Sequence, residues 1–213
     1  MLTKLKYGNT NTYLVHGSCG ILLVDTDWAG TLPGFYRAIK AQHLQVGDIS
    51  CMLSTHYHPD HMGITAELME LGVPLVLFDV QLPYIHFSDS IYKKEKNRFY
   101  KPIDESRAKV LSCSGSRAYL ASLGISGEII HTPGHSEDSI SLLLDDGAAI
   151  VGDLPPYSAL AAMEDETVLN SYQNILSRGV TMLHYGHMVS ERTEHAVCTG
   201  ERRRESARSL REP

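Results

Sequence analysis

The stretch Thr55-His56-Tyr57-His58-Pro59-Asp60-His61 decides how this chain is read. Three imidazoles and a carboxylate crowd into six residues, His56 to His61. Such polar density on a surface loop does nothing for an apolar core. It suits a divalent metal ion, because zinc and similar ions take imidazole nitrogen and carboxylate oxygen at about 2 Å. A structural zinc site ordinarily draws on cysteine, and this run has none. A His/Asp set leaves room for water, which is the arrangement of a catalytic centre. Eleven histidines occur in the chain, so some fall close together by chance. The spacing H-x-H-x-D-H at a strand end separates this run from that background.

Outward from the run, the chain alternates between strand-like and helix-like segments. Ile49 to Ser54 is a short apolar strand that leads directly into it. Upstream, Asn11–Val15 and Ile21–Asp25 flank Gly17-Ser18-Cys19-Gly20 and read as a hairpin. Pro33 opens a helix with Phe35, Ile39 and Leu44 on one side. Downstream, Ile64, Leu68 and Leu71 recur at helical spacing before Gly72, and Val73–Phe78 reads as a strand. Glu128–His131 is a strand. Ile140, Leu142 and Leu144 alternate with other residues and lead through Asp145-Asp146-Gly147 into Ala148–Gly152, a second hairpin. Val168, Tyr172, Ile175 and Leu176 have helical spacing, Gly179 ends that run, and Val180–Tyr185 is the last strand expected.

Residues 79–110 break the pattern. Tyr84, Tyr92, Phe99 and Tyr100 are interleaved with Lys93, Lys94, Lys96, Arg98 and Lys101, without apolar periodicity. This is a solvated connection or a lid facing an acyl-bearing or anionic ligand. From Ser190 the chain is rich in both arginine and glutamate, which reads as a charged solvated helix or a disordered end.

Length and composition fit a single globular domain, residues 1–213, with 79–110 as a candidate lid and 190–213 as a charged tail. A net charge of −6 gives no general attraction to nucleic acid or anionic membrane, so neither is an expected partner. No signal segment occupies residues 1–15 and no apolar run is long enough to span a bilayer, so a cytoplasmic location is the default expectation. Cys19, Cys51, Cys113 and Cys198 form no C-x-x-C pair and are expected as reduced, buried thiols. No motif sets an oligomeric state.

Candidate donors also follow three later strands: His135, Asp153 and His187, each beside glycine or proline. With His56, His58, Asp60 and His61 they make seven, a number that suits two metals sharing one carboxylate. Thr55-His56-Tyr57-His58-Pro59-Asp60-His61, Thr132-Pro133-Gly134-His135, Val151-Gly152-Asp153 and Tyr185-Gly186-His187, in that order, resemble the signature of the metallo-β-lactamase-fold superfamily. The resemblance covers about residues 10 to 190. It implies a mixed α/β fold, a four-layer αββα sandwich, with a shallow dinuclear site at one edge. By position, His56, His58 and His135 would hold one ion. Asp60, His61 and His187 would hold the other, and Asp153 would bridge. Asp25, ending a Leu-Val-Asp-Thr strand, resembles the family's supporting acid, and a turn-capping role fits it equally well.

Differences within the superfamily narrow the activity. Its β-lactamases typically lack a bridging aspartate at the position of Asp153, and its oxygen-reducing di-iron members usually carry Glu at that of His58. Glyoxalase II-like thioesterases share all seven ligands, but the residues after His187 are not expected to build the helical C-terminal substrate domain of those enzymes. Lactonases of the fold place a tyrosine three residues past the bridging Asp, and here Tyr157 stands four past it. The expectation is a glyoxalase II- or lactonase-like hydrolase with two divalent ions, zinc first and iron or manganese as alternatives. A bridging hydroxide would attack a small acyl, ester, thioester or lactone substrate. Asp60 would orient the nucleophile and pass on its proton, and Tyr157 would donate a hydrogen bond. Two other classes stay open: a mononuclear iron persulfide dioxygenase, and a non-catalytic binding protein that keeps its metal.

Overall fold

In the computed structural model, residues 1–193 are described. The chain order is β1 (Leu2–Lys6), β2 (Asn11–His16), β3 (Ile21–Val24), α1 (Leu32–Ala41), β4 (Cys51–Leu53), α2 (Pro59–Met62), α3 (Thr65–Glu70) and β5 (Val76–Phe78). Then come α4 (Asp89–Glu95), β6 (Lys109–Leu111), α5 (Ser116–Ser122), β7 (Gly127–His131), β8 (Ile140–Leu144), β9 (Ala148–Ile150), α6 (Glu166–Leu176), β10 (Met182–His184) and β11 (Glu191–Arg192).

The first sheet has the order β1-β2-β3-β4. β1, β2 and β3 form an antiparallel meander, and β4 joins β3 in parallel after the crossover through α1. A parallel bridge between Met52 and Leu75 carries this layer on to the β5–β6 pair. The second sheet has the order β11-β10-β9-β8-β7. Side chains alternate between the faces of a strand, and that alternation builds the layers. Tyr13, Val15, Leu22, Val24, Cys51 and Leu53 pack between the sheets against Ile129, Ile140, Leu142 and Ile150. Their neighbours Leu14, Leu23 and Met52 point outward to Phe35 and Ile39 of α1 and Leu68 of α3. On the second sheet, Ile130, Leu143, Ala149 and Leu183 meet Val168, Tyr172 and Ile175 of α6. Helix, sheet, sheet and helix therefore stack as the family resemblance implies.

Several expectations change in detail. β1 was not foreseen, because Thr3, Lys4 and Lys6 hide a strand that only its pairing with β2 reveals. α1 stops at Ala41, and His43 takes a positive φ, so Leu44 packs on the core from outside the helix. Leu71 caps α3 and is 47% exposed, so it does not share the buried face of Ile64 and Leu68. Cys19 is exposed and Cys113 half-buried; Cys51 alone of the described cysteines matches the buried-thiol expectation. The strand ending near Tyr185 is not the last: Glu191 and Arg192 pair with β10 instead of starting a helical or disordered tail. The rest of the tail expectation, and Cys198, lie outside the described residues. Among those residues no helix is long and apolar enough to cross a membrane.

α1 is held to its sheet mainly by one face, with Phe35 fully buried. Phe35→Ala is expected to cost about 3–5 kcal/mol of unfolding free energy. Urea denaturation of the two proteins side by side measures it, and a loss under about 1 kcal/mol would contradict this packing scheme.

Candidate metal centre

β3 and β4 run parallel, as do β9 and β10. β7 lies two antiparallel steps from β9 and shares its direction. Within each sheet, the strands that lead to candidate donors therefore end on one edge. Asp25 follows β3, His56 follows β4, His135 follows β7, Asp153 follows β9 and His187 follows β10.

All seven predicted donors come together there. Their ligand atoms fall into three overlapping groups, each with atoms within 4.8 Å of one another: His56, His58 and His135; His56, His61 and Asp153; and Asp60, His61 and His187. His58 Nδ1 is 3.1 Å from His56 Nε2 and 3.0 Å from His135 Nε2. His61 Nε2 lies 3.3 Å from His187 Nε2. Asp153 Oδ2 is 3.3 Å from Nε2 of both His61 and His187, and 3.8 Å from His135 Nε2. Asp60 Oδ2 is 3.0 Å from His187 Nε2.

The setting is drier than a surface loop. His56 and His61 are essentially fully buried, and Pro59 starts the short helix α2 that carries Asp60 and His61. Proline suits this first helical position because its missing N–H has no partner to lose there. His58, His135 and His187 remain accessible, so the cluster opens to solvent on one side.

Asp25 holds this edge together. Its buried carboxylate accepts from Thr55 N at 2.6 Å and Thr55 Oγ1 at 2.9 Å, and pairs with His61 Nδ1 at 3.0 Å. It occupies left-handed backbone, φ 61°, a conformation aspartate tolerates better than most residues. Both readings of Asp25 are thus present: it supports a donor histidine and stabilises the strand-end turn. Sequence reasoning missed two further supports. Asp138 Oδ2 accepts from Tyr57 N at 2.7 Å, and Gln81 Nε2 reaches the carbonyl oxygens of Ser54, Thr55 and Asp138. Neither residue lies in a motif; only the fold brings them beside the histidine run.

Two features match the needs of a cation. Asp153 Oδ1 is buried with no hydrogen-bond partner among the described residues, although buried carboxylate oxygens ordinarily have one. Gly186 is the only residue type that fits its place: a Cβ there would lie 2.4 Å from Asp153 Oδ1 and 2.6 Å from His61 Cε1. The electrostatics point the same way. Burial, then neighbouring imidazoles, holds His56 well below the usual histidine range, and burial also lowers His58 and His135. Neutral imidazoles present lone pairs. Burial opposes a charge on His61, yet Asp25 and Asp153 outweigh it and push that imidazole up to about 10. The carboxylates thus favour positive charge at the centre of the cluster, and a divalent cation satisfies the same demand.

Tyr157 makes no hydrogen bond to any of the seven donors among the described residues. It is half-buried, its ring packs 5.9 Å from that of Tyr172, and its hydroxyl makes no hydrogen bond among the described residues.

A family model described as the metallo-beta-lactamase superfamily matches residues 5–187, and the chain belongs to that superfamily. Among curated relatives, an atrochrysone carboxyl ACP thioesterase from Aspergillus fumigatus is 31% identical over 150 residues, covering 68% of this chain and 29% of that protein. A protein of the same name from Passalora fulva is 28% identical over 182 residues, covering 81% of this chain and 46% of the other. The chain thus spans less than half the length of these two relatives. Solved structures agree on the fold. A metallo-beta-lactamase family protein from Thermus thermophilus superposes with a TM-score of 0.68 at 19% identity, over 100% of this chain and 83% of its own. TTHA1623, solved in a di-iron-bound form, gives 0.67 at 24% identity over 90% and 94%.

Removing Asp25 leaves Thr55 N–H, Thr55 O–H and His61 without their buried acceptor. Asp25→Ala is expected to lose about 3–5 kcal/mol of stability. Asp25→Asn, which tolerates the backbone conformation and keeps one acceptor, should lose about 1–3 kcal/mol. Chemical denaturation ranks the two; equal losses would show that the side-chain acceptor contributes little.

Proposed function

We propose that this protein is a metal-dependent acyl hydrolase that cleaves a thioester by preference and an ester or lactone in the same manner. The observation that carries the reading is the position of Asp153 Oδ2, within 3.3 Å of His61 and His187 and 3.8 Å of His135. One carboxylate oxygen faces nitrogens of both candidate metal groups, as a shared ligand must. Under this proposal His56, His58 and His135 would hold one divalent ion and Asp60, His61 and His187 the other, and Asp153 would serve both. Zinc is the first choice, and His/Asp sets of this kind also accept iron or manganese. The thioester preference is supported by the names of the Aspergillus and Passalora relatives.

The ions, when bound, supply Lewis acidity toward water and toward the acyl carbonyl at neutral pH. The chain's own residues do the rest. Thr55 Oγ1 lies 3.2 Å from His56 Nδ1, and Asn9 O lies 3.4 Å from His187 Nδ1, so each ring has a partner on the side away from the cluster. Such partners fix ring orientation and tautomer in metal sites. Asp60, 3.0 Å from His187, is proposed to hold the proton released by the attacking water and to return it to the leaving sulfur or oxygen. Tyr157 is proposed as a hydrogen-bond donor to the acyl oxygen, which requires its hydroxyl to turn toward the cluster. The cytoplasmic location and the lid role of residues 79–110 belong to the same proposal.

Elemental analysis of protein purified without added metal, with His58→Ala in parallel, is the primary test. About two zinc per chain, falling to about one or less in the variant, fits the two-ion assignment. One iron per chain with oxygen uptake on a persulfide would replace the hydrolase by a dioxygenase. Asp60→Asn is expected to weaken zinc at its own group, so turnover is compared in zinc-saturated protein, where kcat on thioesters should fall by about 10²–10⁴-fold. Unchanged turnover would remove Asp60 from proton transfer. Full metal occupancy with no turnover across acyl thioesters, esters and lactones would favour a binding protein.

A further inference from the structure

We infer that Phe87 selects the substrate's acyl group, by giving an apolar and preferably aromatic chain a ring to pack on beside the metal centre. This rests on the hydrolase reading above. Phe87 is 50% exposed, and its ring centroid lies 5.1 Å from that of His58 at an interplanar angle of 39°. His58 and the more exposed His135 are the accessible donors of the first group, so the half-exposed phenylalanine stands beside an accessible member of the cluster. A phenylalanine left half in water at such a place offers apolar area that a bound acyl chain removes from solvent. Aromatic partners gain further from tilted or edge-to-face contact.

The ring is held in position. Phe87 N donates to Tyr84 O at 2.8 Å. The next residue, Ser88, is buried and donates to Tyr57 O at 2.6 Å. Tyr92, also buried, donates to Pro59 O at 2.6 Å. Tyr57 and Pro59 flank His58, so the segment carrying Phe87 is tied to the backbone on both sides of that ligand. A carbonyl placed at the donors therefore has the Phe87 ring within reach of its substituent. Near the other candidate group, Val189 stands two residues beyond His187 and is 78% exposed, which adds apolar surface past that ligand. The exposed cations Lys93, Lys94, Lys96 and Arg98 lie farther along the segment and make no hydrogen bond or ion pair with a donor among the described residues, so the ring, not the charge, is the feature that meets the site.

The test is calorimetric titration of zinc-loaded protein with 2-naphthoate and with acetate, as aromatic and minimal acyl products. Wild type is expected to bind naphthoate more tightly. Phe87→Ala should weaken naphthoate by about tenfold and leave acetate within about twofold, with zinc per chain unchanged. Phe87→Leu should recover part of the loss. Competing turnover of naphthoyl and acetyl thioesters should show the same selectivity in kcat/KM. Equal weakening of both ligands, or loss of zinc from Phe87→Ala, would show that the ring merely supports His58 and would overturn the proposal. So would a wild type with no preference for naphthoate. A Phe87-dependent naphthoate preference without turnover would remove the hydrolase reading and leave the aromatic platform standing.

Discussion

The edge of this molecule depends on one buried carboxylate. Asp25 follows β3 in left-handed backbone and takes hydrogen bonds from Thr55, two residues past the end of β4, while also meeting His61. It therefore ties two parallel strand ends to the α2 turn that carries Asp60 and His61. An acidic group at zero exposure is expensive to bury alone. Here every contact is with a donor, and the result is an imidazole whose orientation is set before any ligand arrives.

The rest of the fold serves to bring other strand ends to the same place. Two sheets packed through residues such as Leu22, Leu53, Leu142 and Ile150 form an apolar wall beneath the cluster. That core stabilises the sandwich, while the polar groups above it bring like nitrogens to about 3 Å from one another. Imidazole nitrogens held this close need something positive between them, and a shared cation turns that crowding into coordination. The unpaired Asp153 Oδ1 and the close approach of Gly186 show the same sacrifice of local comfort for the geometry of the centre.

Residues 81–92 buttress the histidine run. Gln81, Ser88 and Tyr92 all donate to backbone carbonyls of the segment from Ser54 to Pro59. These bonds explain why a stretch with poor apolar periodicity is nevertheless ordered through α4. A hydroxyl or amide aimed at a distant carbonyl leaves no periodic trace in sequence, so the stretch reads as a loose connection until the partners are seen.

Most of the candidate cluster was legible in the sequence, because metal-binding chemistry restricts residue type. His56, His58, Asp60, His61, His135, Asp153 and His187 sit beside glycine, proline or one another, and few other uses exist for such a pattern. A mixed α/β fold was legible from the helical spacing of Val168, Tyr172 and Ile175, and its αββα layering only through the family resemblance. In β8, Ser141 and Leu143 are buried along with Ile140 and Leu142, because both faces of that sheet are covered. β1 and β11 were not legible: both are polar edge strands whose formation depends on pairing with β2 and β10. Tertiary structure alone decided that Asp138 and Gln81 brace the histidine run and that Phe87 stands against His58. Such contacts join residues far apart in the chain. Sequence alone shows what each side chain can do, and the packing of the sheets and the 79–110 segment determines which of them meet.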